Sequence, residues 1–413
     1  MESPHIRGAE GWRALVDERF DAGASVLLRY HRVFGELGEG PPFTLDDLAP
    51  RSLGEGIAIR RLADRRGVEI FVADETQAMA TGTYKALDAC VTAAALGRAG
   101  VRRVVASSGG NLSAALGAYL QRAGVDALLF QPLTTLHKQD RRFFGGTAHL
   151  VCADLPEPAI KSLARAVARA YGIEHIPDVR LRMTASAARA MFLVEAMAGE
   201  LGPVDFLTQT VCAGFGPAGI FGCFAALRRR GLLRQAAIPR LLAFQQEANA
   251  PMVRAWQAGE HAIAPEHVQP APDRYIEPGL YNTNPARDYA RLAALMRRFG
   301  GDLRPIDDAA YRAHADDVRR DLAAAGVPLS TLPGTDEVLE KTGLLTGVGI
   351  YQAIDDGALQ PGERVLYLLT GGCRELRPGD APTPEMIVDG ARSEAEWVAA
   401  IGERFHLARG PAD

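Results

Sequence analysis

From residue 68 onward, short apolar runs rich in valine, leucine and phenylalanine alternate with stretches whose apolar positions recur at helical spacing. "VEIFVAD" (68–74) leads into a helical pattern reaching about residue 98, and "RRVVASS" (102–108) into one from about 112 to 122. "DALLFQ" (126–131) precedes a helical pattern near 135–143, and "AHLVCAD" (148–154) precedes one at 157–171. Strand-like runs separated by helices of about 10–15 residues are the mark of βαβ units and a parallel sheet. The pattern then restarts. "ASAARAMFLVEAMAGEL" (185–201) predicts a long helix, ahead of strand-like runs at 204–214, 239–245, 301–306 and 364–372. Further helices are predicted at about 286–299, 308–325 and 335–357.

Two clusters of parallel strands predict two α/β domains. In such sheets ligands bind outside the carboxyl ends of the strands, so the cleft between two sheets is the default site. One stretch breaks the rhythm: residues 264–282 carry four prolines and little periodicity, and they read as a plain connecting loop.

Composition narrows the class. A chain of 413 residues is too long for one ordinary core and fits two or three domains. Apolar residues make up 47% and charged residues 23%, the balance of a water-soluble globular protein. The net charge of −4 gives no basic footprint for nucleic acid, and the run of three arginines at 228–230 reads as a solvated helix end. The first twenty residues hold acids and no apolar core, so no signal peptide is expected, and no run approaches the length of a membrane span. The five cysteines are scattered and odd in number, which predicts free thiols in a reducing cytoplasm and no zinc site.

Three features fall at strand ends or helix starts. The first is Lys85 in "TGTYKALDAC" (81–90), behind a glycine and two hydroxyls and ahead of a helix of small residues. Alone, it reads as a snorkelling surface charge. The second is "ASSGGNLSAAL" (106–116), and the third is "CAGFGPAGIFG" (212–222). Glycines admit a ligand close to the backbone, and the free N–H groups of a helix start bind anions, so both loops are candidate anion cradles. Gly214, Gly216 and Gly219 also stand in the spacing of a dinucleotide fingerprint, with Glu247 after the next strand as a distant candidate for the ribose. His137 and Lys138 read as a solvated helix face.

"ATGTYK", "SSGGNLSAALGAYLQRAG", "CAGFGPAGIFG" and "RVLYLLTGG" stand in the order and spacing of pyridoxal-phosphate enzymes of fold type II. The chain most resembles threonine synthase, whose patterns read approximately P-T-G-S-F-K, S-S-G-N-T-S, a glycine-rich turn and L-T-G-H-G. "SLGEG" (52–56), "GGTAHLVCAD" (145–154) and the stretch 283–301 add weaker likenesses, and 239–259 is similar to the phosphoserine-using cysteate synthases. The similarity covers roughly residues 45 to 375.

The resemblance implies the two-domain, tryptophan synthase β-like fold, with pyridoxal 5'-phosphate in the cleft between parallel sheets. Residues 1–88 would begin the large cofactor-binding domain, 89–184 would form the small α/β domain, and 185–413 would complete the large one. Lys85 would be the Schiff-base lysine and proton shuttle. Asn111 would meet the ring oxygen, Thr370 the pyridine nitrogen, and Gly214, Phe215, Gly216, Ala218 and Gly219 the cofactor phosphate. Thr83, Ser107, Ser108, Gly109, Gly110 and Ser113 would bind substrate. A neutral hydroxyl at the ring nitrogen tempers the electron sink and suits elimination and replacement. Bland readings stand beside these, with Asn111 as a helix cap and Thr370 as an ordinary strand-end residue.

The sequence departs from the family pattern near the substrate. Ala86 and Leu87 follow Lys85 where the family has an Asp-Arg pair, Tyr84 replaces phenylalanine, the carboxylate loop has an extra glycine, and "TGGCRE" lacks the histidine. The expected function is therefore elimination or replacement on an amino acid carrying a phosphate-type leaving group, by a cytoplasmic homodimer without nucleic-acid or membrane partners. The alternatives are β-replacement on O-phosphoserine or a similar substrate, and a catalytically silent cofactor- or dinucleotide-binding protein.

Overall fold

Eleven strands among the described residues assemble into two sheets. The computed structural model describes residues 6–7, 9–36, 42–176, 178–270, 274–282, 285–374 and 380–408. Parts of the stretches read above, at 1–5, 271–273, 283–284 and 375, lie outside them.

The strands are β1 (Ala58–Arg61), β2 (Glu69–Asp74), β3 (Arg103–Ser107), β4 (Asp126–Pro132), β5 (Ala148–Ala153), β6 (Glu174–Ile176), β7 (Phe206–Thr210), β8 (Arg240–Gln246), β9 (Gly301–Ile306), β10 (Arg364–Leu369) and β11 (Met386–Val388). The large sheet runs β1-β2-β10-β7-β8-β9 and the small sheet β11-β5-β4-β3-β6. All pairings are parallel except β1 with β2.

Parallel strands covered on both faces read as continuous apolar runs, which is why "EIFVAD" and "RVLYLL" were legible. Their side chains still alternate. Phe71 and Ala73 face the core between the two sheets, while Ile70 and Val72 face a second core under helices Asp308–Ala324 and Lys341–Asp355. The strands that periodicity missed are β1, β6 and β11. They are edge strands of three or four residues, and β1 ends in Arg60 and Arg61, charges that discourage further pairing.

Two further differences bear on the site. The helix read at 135–143 is two short 3₁₀ turns, Leu133–Lys138 and Arg141–Phe143. The late segment at 386–388 joins the small sheet through β5, and Trp397 and Ile401 of helix Glu394–Arg404 pack with Ile160, Leu163 and Val167 on that sheet's outer face. A contiguous 185–413 stretch therefore does not all stay with the large sheet.

Candidate active site

The carboxyl ends of three neighbouring strands in the large sheet meet at one place. β2 leads to Lys85, β10 leads into Thr370, and β7 runs into Gly214. The segments are stitched together: Tyr84 N donates to Thr370 O at 3.2 Å, Glu75 N donates to Leu369 O at 3.1 Å, and Thr83 bridges Gly371. From the small sheet, β3 ends in Ser107–Gly110 and β4 in the Leu133–Lys138 turn. A cavity of about 480 Å³ lies between them, and Lys85, Ser107, Ser108, Gly109, Asn111, Gly214, Phe215, Gly216 and Thr370 line it.

Lys85 opens helix Lys85–Ala99, whose small residues are buried from Ala86 to Ala94, so the helix is packed on all sides. The amine therefore cannot snorkel to bulk water; its side chain is 15% exposed. Its Nζ donates to the Tyr84 hydroxyl and to Asp88 Oδ2 at 3.3 Å, and it lies 3.9 Å from the Tyr84 ring centroid. Asp88 in turn accepts from Arg182 Nε at 3.0 Å, and the Arg182 guanidinium stacks on Phe215 at 3.7 Å. A carboxylate and a guanidinium thus stand beside the lysine, although the family's Asp-Arg pair is absent from the next two positions.

Gly214 caps helix Phe215–Arg229 at φ +80°, in the left-handed region open to glycine. Ala218 N already donates to Gly214 O at 3.0 Å, leaving the N–H groups of Gly214, Phe215 and Gly216 without an intrahelical partner. Pro217 has none to offer. Ala218 and Gly219 do not line the cavity. A Cβ on Gly219 would stand 2.5 Å from Met183 O and 2.7 Å from Ser186 Cβ, so this glycine serves the contact with helix Val179–Ala198. The third glycine of the apparent dinucleotide spacing is a packing residue, and Glu247 is exposed.

Behind the cradle lies a fully buried pair. Arg189 donates to both oxygens of Glu75, at 2.7 and 2.6 Å, and to Gln209 Oε1 at 3.2 Å. Burial pushes the Glu75 carboxyl up against the pull of Arg189, and burial alone would lower the guanidinium but the carboxylate outweighs it. Arg189 Nη1 has no partner and would lie 3.0 Å from a Cβ on Gly216.

Thr83, Gly110 and Ser113 also stand back from the cavity wall. Thr83 Oγ1 accepts from Lys85 N at 3.2 Å, Gly110 is the cap of helix Asn111–Arg122 at φ +127°, and Ser113 is buried inside that helix. Asn111 is therefore the helix's first residue and not its cap. Its amide is used on both sides, donating to Glu340 Oε2 at 2.8 Å and accepting from Arg374 Nη2 at 2.8 Å.

The solvated reading of Lys138 is overturned. It is 3% exposed and lies between Glu277 at 2.6 Å and Glu340 at 2.9 Å. Burial alone would lower the Lys138 amine and raise the Glu340 carboxyl; their attraction reverses both, raising Lys138 and holding Glu340 below the usual carboxylate range. His137 stays exposed on the same turn, as the solvated reading has it. The plain-loop reading of 264–282 falls with it. Glu277 belongs to that stretch, and Tyr275, Pro278, Gly279 and Tyr281 form a wall of the cavity. Gln246 anchors the stretch through bonds to Glu277 O at 2.9 Å and from Glu277 N at 3.1 Å.

Asp88 was visible in the sequence as the lone carboxylate of a small-residue helix, three positions from Lys85. Arg182, Glu277, Glu340 and Arg374 carried no comparable signal. Two observations fit the cofactor that the resemblance implies. Thr370 Oγ1 is buried, lines the cavity and has no partner, as a group awaiting a ring nitrogen would be; and Gly216 is a tight position on the cavity lip, where a Cβ would stand 3.0 Å from Arg189 Nη1 and 3.3 Å from Gln209 Nε2.

Comparison with known proteins gives a consistent result. The sequence signature of the family described as "Pyridoxal-phosphate dependent enzyme" matches residues 56–324. No curated protein sequence matches the chain. Among solved structures, a threonine deaminase from T.th. superposes with a TM-score of 0.59 at 20% identity, over 81% of this chain and 97% of that one. Diaminopropionate ammonia lyase from Escherichia coli gives 0.64 at 14% identity, over 86% and 92%. An O-ureido-L-serine synthase gives 0.52 at 18% identity, over 87% and 100%. At these identities the likeness is one of fold.

Proposed function

The chain belongs to the pyridoxal-phosphate dependent enzymes of fold type II, and from that premise we propose that it catalyses elimination or replacement on an amino acid bearing a phosphate-type leaving group, in the manner of threonine synthase. The observation that carries the reading is Thr370, a neutral hydroxyl with a free, buried oxygen at the end of β10. When bound, pyridoxal phosphate supplies an electron sink for bond breaking at the substrate's α-carbon, and a hydroxyl partner at its ring nitrogen leaves that sink moderate, which favours departure of a β- or γ-substituent.

The chain's own groups divide the remaining work. The N–H groups of Gly214, Phe215 and Gly216 take the cofactor phosphate at the helix start. The Ser107–Asn111 loop takes the substrate carboxylate. Lys85 Nζ is the group that takes the α-proton and returns it, steadied by the Tyr84 hydroxyl and Asp88. Residues of the 275–281 wall and of the Leu133–Lys138 turn line the far side of the cavity.

The test is to offer O-phosphohomoserine and O-phosphoserine in parallel, with serine and threonine as unphosphorylated controls. Phosphate, 2-oxo acid and amino-acid products are followed together. Threonine and phosphate from O-phosphohomoserine are expected. Phosphate from O-phosphoserine alone would move the reaction to the β-carbon, with a 2-oxo acid product marking elimination and a new amino acid, once a nucleophile is supplied, marking replacement; release of phosphate from neither, with cofactor bound, would overturn the reading.

A further inference from the structure

The cations of the cavity wall are matched by carboxylates with one exception. Lys161 pairs with Glu157 at 2.6 Å, and Lys138 lies between Glu277 and Glu340. Behind the wall, Arg189 is matched by Glu75. Lys85 and Arg182, by contrast, share the single carboxylate of Asp88, at 3.3 and 3.0 Å. Two basic groups and one acid, 15%, 12% and 2% exposed, leave an excess positive charge at the cavity wall beside the free N–H groups of the Phe215 helix. An excess positive charge in a partly desolvated cavity draws an ion of opposite sign.

Arg182 is placed to meet that ion. Its Nε is tied to Asp88 and its plane lies on the Phe215 ring, 3.7 Å from the centroid. Among the described residues Asp88 is the one hydrogen-bond acceptor of its side chain, so the terminal nitrogens remain for a ligand. A guanidinium offers a planar fork that matches two oxygens of a phosphate. From behind the same cradle, the unpartnered Nη1 of fully buried Arg189 adds to the positive field at Gly216.

We propose that Arg182 is a phosphate-binding residue of this cavity, oriented by Asp88 and Phe215, and that it meets a phosphate monoester on the Gly214–Gly216 backbone or beside it. The inference rests on the reading of that backbone as the phosphate cradle. The monoester is either the cofactor's own or the substrate's leaving group, and affinity ratios separate the two.

The experiment compares wild type, Arg182→Gln and Arg182→Lys in two titrations. In the first, apo-protein is titrated with pyridoxal phosphate and with pyridoxal, following the visible absorbance band. In the second, holoenzyme is titrated with O-phosphoserine and with serine, following the spectral change. Removing a charged hydrogen-bond donor should cut affinity for the phosphorylated member by roughly ten- to a hundredfold and leave the other within about twofold. A fall in the first ratio assigns Arg182 to the cofactor phosphate; a fall in the second alone assigns it to the substrate. Arg182→Lys should restore part of whichever ratio falls. A merely structural role would lower both members of a pair equally, and unchanged ratios in both titrations overturn the proposal. Gly216→Asp serves as the separate control: pyridoxal phosphate affinity that survives this change removes the cradle reading itself.

Discussion

Tyr84 and Asp88 turn a lysine that looks ordinary in the sequence into a fixed amine. The hydroxyl and the carboxylate hold Nζ inside the cavity, and helix packing closes its route outward. If the Tyr84 hydroxyl serves proton transfer at Lys85, Tyr84→Phe should lower kcat by about ten- to a hundredfold while cofactor affinity stays close to wild type. Steady-state kinetics and a cofactor titration check this, and an unchanged kcat would show that the hydroxyl does not serve the amine. The lysine and both glycine loops were legible because each sits in a short, ordered motif. Lys138 was not. Its two carboxylate partners lie 139 and 202 positions away, and no local spacing reports such a distance. Asn111 is an intermediate case: the motif marks it, but its bonds to Glu340 and Arg374 appear only when the chain is folded.

At the scale of elements, the glycine-rich turn performs two separate tasks. Gly214 and Gly216 shape the lip of the cavity, whereas Gly219 lets helix Phe215–Arg229 approach helix Val179–Ala198, which carries both Arg182 and Arg189. Gly219→Ala would press a methyl group against Met183 O and Ser186 Cβ, at 2.5 and 2.7 Å. Such overpacking should destabilise the fold by about 1–3 kcal/mol, seen as a lower midpoint in urea denaturation. A midpoint equal to that of wild type would remove the packing role. Of helix Val179–Ala198, the part from 185 onward was legible from its small and apolar residues, while the first turns with Arg180 and Arg182 lay outside the 185–201 reading. The 3₁₀ turns after β4 were not legible, since "TTLHKQDRR" offers a helical polar pattern and only its tertiary partners break it. β11 is three residues long and pairs with a strand far earlier in the chain, so periodicity had nothing to register.

At the scale of the molecule, the two sheets are joined by a buried ionic cluster. Lys138 and Asn111 come from the small-sheet side, Glu277, Glu340 and Arg374 from the large. Because the folded protein holds the Glu340 carboxyl below its ordinary value of 4.5, its contribution is complete above that pH and drains away as the medium is acidified further. Removing its charge leaves Lys138 with one partner fewer in a dry place. Glu340→Gln should therefore be less stable than wild type at neutral pH by about 3–5 kcal/mol and should lose less additional stability below pH 4.5. Thermal unfolding across an acid series measures both, and parallel curves would exclude Glu340 as the titrating group. The placement of β11 has a consequence in time. On the ribosome, β5 and its neighbours emerge early, but the strand that covers the β5 edge is made after every strand of the large sheet. Throughout that interval a nascent chain presents an open row of backbone donors and acceptors, the kind of surface that other chains and chaperones pair with. A chain interrupted before residue 386 would keep that edge of β5 open.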